Sequence, residues 1–318
     1  MTRRVLLASP RGFCAGVERA VETVERALAL HGAPVYVRKQ IVHNVHVVRD
    51  LEQRGAVFVE SEQDAPVGAV LVLSAHGVAP SVHENAQRRS QRTIDATCPL
   101  VSKVHAEARS YAAGGFTIAL VGHEEHEEVV GTRGEAPEAT VVIGSVAEAE
   151  AFTPADPAKV AYVTQTTLSM DETAEILAVL RRRFPAIVGP PKDDICYATT
   201  NRQNAVKEML PLIDLLLVVG SANSSNSNRL VDVALGAGVP AHLIEDAGCI
   251  DEAWLDGIET VGLTSGASAP ERLVTGVLRW FHERGVEQIE RLGGVVEDIE
   301  FRLPSELRQP ARPAPAAV

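Results

Sequence analysis

The chain has 318 residues, more than one small domain needs and enough for two or three. Apolar residues make up 46% and charged residues 23%, the balance of a folded globular protein, which excludes disordered and fibrous classes. A formal net charge of -12 argues against a nucleic-acid partner, because affinity for a phosphate backbone comes from clustered Lys and Arg.

Along the chain, short runs rich in Val, Ile and Leu alternate with helical patterns, which predicts parallel α/β layers. The predicted strands are Val5–Ala8, Ala69–Leu73, Thr117–Val121, Val160–Val163, Leu215–Val219 and Val261–Leu263. After Cys14 a helix is expected with Val17, Val21, Val24 and Leu28 on one face. Another, capped by Ser169 or Asp171, carries Ile176, Leu177 and Leu180 and stops near Pro185. The clusters Arg88 to Arg92 and Arg181 to Arg183 read as solvated helix faces, with docking of an acidic redox partner as the alternative. Pro310–Val318 is Pro/Ala-rich and reads as unstructured. No apolar run approaches the roughly 18 to 20 residues that cross a bilayer, so the expectation is a cytoplasmic protein without a membrane partner.

In a reducing compartment cysteines point to metal binding or catalysis before disulfides. Cys14, Cys98 and Cys196 stand at nearly even intervals, each in a loop just before a predicted helix: Ser9-Pro-Arg-Gly-Phe-Cys14, Asp95-Ala-Thr-Cys98 and Asp193-Asp-Ile-Cys196. This suggests three similar α/β units, residues 1–97, 98–195 and 196–284, followed by an extension over 285–318. Three thiols from three units could meet on a pseudo-threefold axis. The partial positive charge of a helix start favours the thiolate, the form that binds metal. Three converging thiolates would suit a soft metal or an iron-sulfur cluster with one open iron. The competing reading is that they are small buried hydrophobes, which is the reading preferred for Cys249.

Ligands of open α/β sheets bind beyond the carboxyl ends of strands. Several strands here run into polar clusters: Ser74-Ala-His76-Gly, Gly122-His-Glu-Glu-His126-Glu-Glu128, Thr164-Gln-Thr-Thr167, Ser224-Ser-Asn-Ser-Asn228 and Thr264-Ser-Gly-Ala-Ser268. Hydroxyls, amides and unpaired backbone N–H groups at a helix start suit an anion, and a phosphate-bearing ligand is implied. The Ser/Asn run is not a P-loop, which disfavours nucleotide hydrolysis. His43, His76 and His126 stand at loop or strand ends, where imidazolium groups could share the charge of a diphosphate. Glu128, if it faces the cysteines, could protonate a leaving hydroxyl. Glu124, Glu125 and Glu127 read as exposed acids.

The motifs Arg11-Gly-Phe-Cys-Ala-Gly-Val17, Ile41-Val-His-Asn44, Ser74-Ala-His-Gly77, Asp95-Ala-Thr-Cys-Pro99, Thr164-Gln-Thr-Thr-Leu-Ser169, Asp193-Asp-Ile-Cys-Tyr-Ala-Thr-Thr-Asn-Arg-Gln203, Ser224-Ser-Asn-Ser-Asn-Arg229 and Gly266-Ala-Ser-Ala-Pro270 resemble the 4-hydroxy-3-methylbut-2-enyl diphosphate reductase family, over about residues 4 to 305. The resemblance implies three α/β domains around one 4Fe-4S cluster held by Cys14, Cys98 and Cys196. It implies that His43, His76, His126, Ser224, Ser225, Asn226 and Ser268 hold the diphosphate, and that Thr166, Glu128 and His126 manage the substrate hydroxyl and its proton. The reaction would be reductive removal of that hydroxyl, giving isopentenyl and dimethylallyl diphosphate, with ferredoxin or flavodoxin as electron donor. One departure stands out: the family often has His-Pro-Glu-Val-Glu-Gly where this chain has His126-Glu-Glu-Val-Val-Gly131. Rival readings are an iron-sulfur hydro-lyase that needs no reductant, a cluster-based sensor and a zinc phosphohydrolase.

Overall fold

A computed structural model of the chain describes residues 2–308; the reading of Pro310–Val318 falls outside the described residues. In chain order the first part runs β1 (Arg4–Leu7), α1 (Ala15–His31), β2 (Val35–Arg38), α2 (Val45–Gln53), β3 (Ala56–Val59), β4 (Val70–Leu73), α3 (Pro80–Arg88) and β5 (Arg92–Asp95). The middle part continues with α4 (Pro99–Ala113), β6 (Thr117–Val121), α5 (Glu127–Glu135), β7 (Thr140–Ile143), α6 (Val146–Ala151), β8 (Val160–Thr164) and α7 (Met170–Arg183). Then follow α8 (Tyr197–Met209), β9 (Leu215–Val219), α9 (Ser225–Gly236), β10 (Ala241–Ile244), β11 (Thr260–Ser265), α10 (Glu271–Glu283) and β12 (Gln288–Arg291).

The strands form three sheets, ordered β3-β2-β4-β5, β7-β6-β8 and β10-β9-β11-β1-β12, and every pairing between neighbours is parallel. Parallel strands need crossover helices, which cover both faces, so alternate residues of one strand enter two different cores. In β1, Val5 and Leu7 pack with Val274, Val277 and Phe281 of α10, while Leu6 and Ala8 pack with Val206 and Met209 of α8 and Leu230 of α9. The other sheets repeat the plan: α1 and α2 against α3 on the first, α6 and α7 against α4 and α5 on the second. Three α/β units thus surround a common centre.

The sheets depart from the contiguous division 1–97, 98–195, 196–284 and 285–318. Strand β1 lies in the third sheet between β11 and β12, and the extension contributes β12. The apolar run Val5–Ala8 is almost fully buried, which suits the interior of a sheet covered on both faces. Beyond β12 the chain crosses to the first unit, where Leu307 joins the core beneath α1. Among the described residues no helix is long and apolar enough to cross a membrane. The two basic clusters are largely tied down locally: Arg89 donates to the Ala65 carbonyl, Arg181 to the Tyr162 hydroxyl and Arg183 to the Ala149 carbonyl, while Arg182 pairs with Glu150.

Candidate active site

Each of the three cysteines is the residue that caps a helix: Cys14 for α1, Cys98 for α4 and Cys196 for α8. All three line one cavity. Convergence is tightest where α1 meets α4. A Cβ placed on Gly16 would lie 2.8 Å from the sulfur of Cys98 and 3.8 Å from that of Cys14, so glycine leaves room for both thiols. The Cys196 sulfur lies 3.1 Å from the Thr199 hydroxyl and accepts from the Thr199 N–H at 3.4 Å. Cys249 is not the buried hydrophobe expected: it is exposed, in a short 3-10 turn, and does not line this cavity.

The expectation that helix starts favour the thiolates is reversed here. Burial pushes the Cys98 thiol up to about 12 and the Cys196 thiol up to about 11, and it raises Cys14 as well, outweighing the nearby Arg202 charge. Desolvation of a charge deep in the centre exceeds the attraction of a helix end. Thiols so placed ionise when a cation arrives to take the charge, as metal binding does.

Three histidines, from the loops that follow β2, β4 and β6, line the same cavity. His43 and His76 stack with ring centres 4.0 Å apart, and His126 meets them edge-on at 5.5 and 5.9 Å. Their expected positive charge is corrected: burial brings His43 down to about 4, brings His126 down to about 4 with the help of its neighbours' charges, and pushes His76 well below its ordinary value. In the ligand-free cavity they are neutral imidazoles. Among the described residues the Nδ1 of His76 is buried without a hydrogen-bond partner, a cost that a ligand would relieve.

The first turn of α9 closes another wall. A Cβ at Gly220 or Gly266, at the ends of β9 and β11, would overlap the Ser227 hydroxyl, so these glycines let the helix start between the two strands. Ser224 caps α9 through the Ser227 N–H. Asn226 accepts from the Ala267 N–H at 2.8 Å and donates to the Thr199 hydroxyl at 3.2 Å, which links this turn to the Cys196 helix. Ser225 donates to the Thr167 carbonyl and Ser268 to the His43 carbonyl. All of Ser224, Ser225, Asn226 and Ser268 line the cavity.

Glu128 completes the site. His126 caps α5 by accepting the Glu128 N–H on Nδ1 at 3.2 Å, which turns the Glu128 side chain inward. Its carboxyl accepts from the Thr166 N–H at 2.6 Å and pairs with the Thr166 hydroxyl at 3.0 Å. Burial raises its pKa to about 7, against the two Thr166 bonds, which favour the ionised form. A raised value has a stability consequence: what the protonated group contributes is fully present below about 4.5 and lost as pH rises through about 7. Glu128→Gln in the ligand-free protein should therefore match the parent's melting temperature at pH 5 and exceed it by a few degrees at pH 8. An offset independent of pH would contradict a buried carboxyl that ionises near neutrality.

Every site residue singled out in the sequence lines this cavity. The replaced positions of the His126 segment lie outside it. Glu127 pairs with Lys39 at 3.4 Å and Arg38 at 3.9 Å, and Val130 is exposed. Sequence reasoning passed over Thr167, Thr199, Val42 and Phe301, which also line the cavity. The two threonines sit within motifs already noted; Phe301 carries no local signal.

The chain matches the sequence model of the LytB protein family over residues 5–282. It is 61% identical over 308 residues to the 4-hydroxy-3-methylbut-2-enyl diphosphate reductase of Acidothermus cellulolyticus, covering 96% of this chain and 91% of that protein. It is 59% identical to 4-hydroxy-3-methylbut-2-enyl diphosphate reductase 1 of Mycobacterium bovis, covering 97% and 92%. Among solved structures it resembles the E-1-hydroxy-2-methyl-but-2-enyl-4-diphosphate reductase from Plasmodium falciparum, with a TM-score of 0.94, 39% identity and 96% and 97% coverage. The three-unit fold, the near-complete coverage and the identity together show that the chain belongs to the LytB protein family.

Proposed function

We propose that this chain reduces (E)-4-hydroxy-3-methylbut-2-enyl diphosphate to isopentenyl diphosphate and dimethylallyl diphosphate, the last step of the non-mevalonate isoprenoid pathway. The observation that carries the reading is that three helix-capping thiols, an anion cradle and a buried acid with a pKa of about 7 open onto the same cavity. The thiols fit a polynuclear cluster better than a single ion. Among the described residues no three His, Cys, Asp or Glu groups stand close enough to hold one metal ion, yet three thiols border a space that Gly16 leaves free of a side chain. Cys14, Cys98 and Cys196 would hold one 4Fe-4S cluster whose remaining iron has no protein thiolate, and the bound cluster would supply electrons and Lewis acidity at the substrate hydroxyl.

The protein's own groups do the rest. The N–H groups opening α9, with Ser224, Ser225, Asn226 and Ser268, would take the diphosphate. His43, His76 and His126 would become protonated as its negative charge enters, so binding should take up protons. Val42 and Ala75 leave the hydrocarbon part an apolar, water-poor wall. Glu128, protonated below about pH 7, would pass a proton through the Thr166 hydroxyl to the leaving oxygen, which departs as water. Two electrons and two protons are consumed in total: the C–O bond breaks and one C–H bond forms at either end of the allylic unit. A small ferredoxin or flavodoxin would deliver the electrons, and a reducing cytoplasm suits an enzyme whose cysteines are all free.

The test is an anaerobic assay of the purified protein with the allylic diphosphate. Both products should form only when a reduced donor is supplied. Turnover without a reductant would place the chain among non-redox hydro-lyases instead.

A further inference from the structure

Each of the three cysteine helices carries a cation in its second turn. Arg19 stands five residues after Cys14, Lys103 five after Cys98 and Arg202 six after Cys196. None of the three serves its own cysteine's loop. Arg19 donates to the carbonyls of Ala96 at 2.9 Å, Thr97 at 3.1 Å and Asp95 at 3.4 Å, the loop that ends in Cys98. Lys103 donates to the Lys192 carbonyl at 2.8 Å and to the buried Asp194 carboxylate at 2.6 Å, the loop that ends in Cys196. Arg202, fully buried, donates to the Gly12 carbonyl at 2.8 Å, in the loop that ends in Cys14.

We propose that Arg19, Lys103 and Arg202 form a closed ring of positioning cations, in which the helix capped by each cysteine grips the loop that delivers the next one. The proposal deepens the cluster reading above, on which it rests for what the three loops hold. A cysteine loop is irregular backbone, and its carbonyls near the centre of the molecule need partners. A charge-assisted donor from the helix that starts at another cysteine satisfies them and fixes the loop at once. Because the ring closes, each cysteine's helix holds the loop that ends in the next cysteine while its own loop is held by the third helix, so the three thiols are gathered before anything binds between them. Two members also fasten the C-terminal segment: Arg19 donates to the Arg302 carbonyl at 2.8 Å, and Arg202 meets the Glu297 carboxylate at 3.1 Å. That segment brings Phe301 to the cavity.

Lys103 and Arg19 carry the test, because Arg202 is fully buried and its loss threatens the fold itself. In anaerobically purified, full-length protein, Lys103→Met should speed amide exchange by about tenfold or more in residues 192–196 while leaving 95–98 unchanged. Arg19→Met should do the reverse. Both should release iron to a chelator about tenfold faster than the parent, and Lys103→Arg should restore both readings. Faster exchange confined to the substituted helix, no change in either loop, or Lys103→Arg behaving as Lys103→Met would overturn the ring. A parent protein that holds no iron or sulfide would remove the cluster reading, while the exchange comparison would still decide the ring.

Discussion

Cys98→Ser is expected to give a folded protein that has lost its cluster-derived visible absorption and whose turnover falls to background. The fold should survive because the Cys98 side chain makes no capping hydrogen bond, and serine is among the preferred residues at a helix cap. What the serine cannot do is offer a soft thiolate to iron. The loss should therefore appear in the visible spectrum and the iron content with circular dichroism unchanged. Cys14→Ser should behave alike, since Cys14 also caps its helix without a side-chain bond. Cys249→Ser, on an exposed turn, should keep colour and turnover. An undiminished spectrum in Cys98→Ser would remove that thiol from the site.

The second large effect belongs to Glu128→Gln. The amide can keep both contacts with Thr166, accepting the backbone N–H and donating to the hydroxyl, so cavity shape and diphosphate binding should stay close to the parent's. It carries no transferable proton. Turnover should fall by roughly 10²- to 10⁴-fold, the range that a positioned general acid supplies, with KM changed little. In the parent, kcat/KM should decline as pH rises through about 7, where the free carboxyl ionises, and this limb should vanish in the variant. Parent-like turnover in Glu128→Gln would take proton delivery away from this residue.

Much of this was legible in the residues. The runs Thr117–Val121 and Leu215–Val219 are the observed strands β6 and β9, because a strand covered on both faces writes itself as an unbroken apolar run. The helix start after each cysteine was equally plain, and Ser169 does cap α7. Pairing was not legible. Nothing local in Val5–Ala8 tells which sheet receives it, and its partners Val261–Leu263 lie at the other end of the chain. Charge states were misread for one reason: a motif shows a helix end or a histidine cluster but not how deeply it is buried, and here burial decides both the neutral imidazoles and the raised thiols. Phe301 and the Arg202–Glu297 pair depend on where the last segment returns, which no spacing announces.

The central claim is that Cys14, Cys98 and Cys196 share one cluster with an iron left for substrate. Mössbauer spectroscopy of anaerobically purified, iron-57-enriched protein, taken with and without the allylic diphosphate, tests it most directly. About four irons per chain are expected, with about one in four changing its signal when the substrate binds. Iron that stays unmoved on substrate addition, or protein that carries zinc in place of iron and sulfide, would contradict the account.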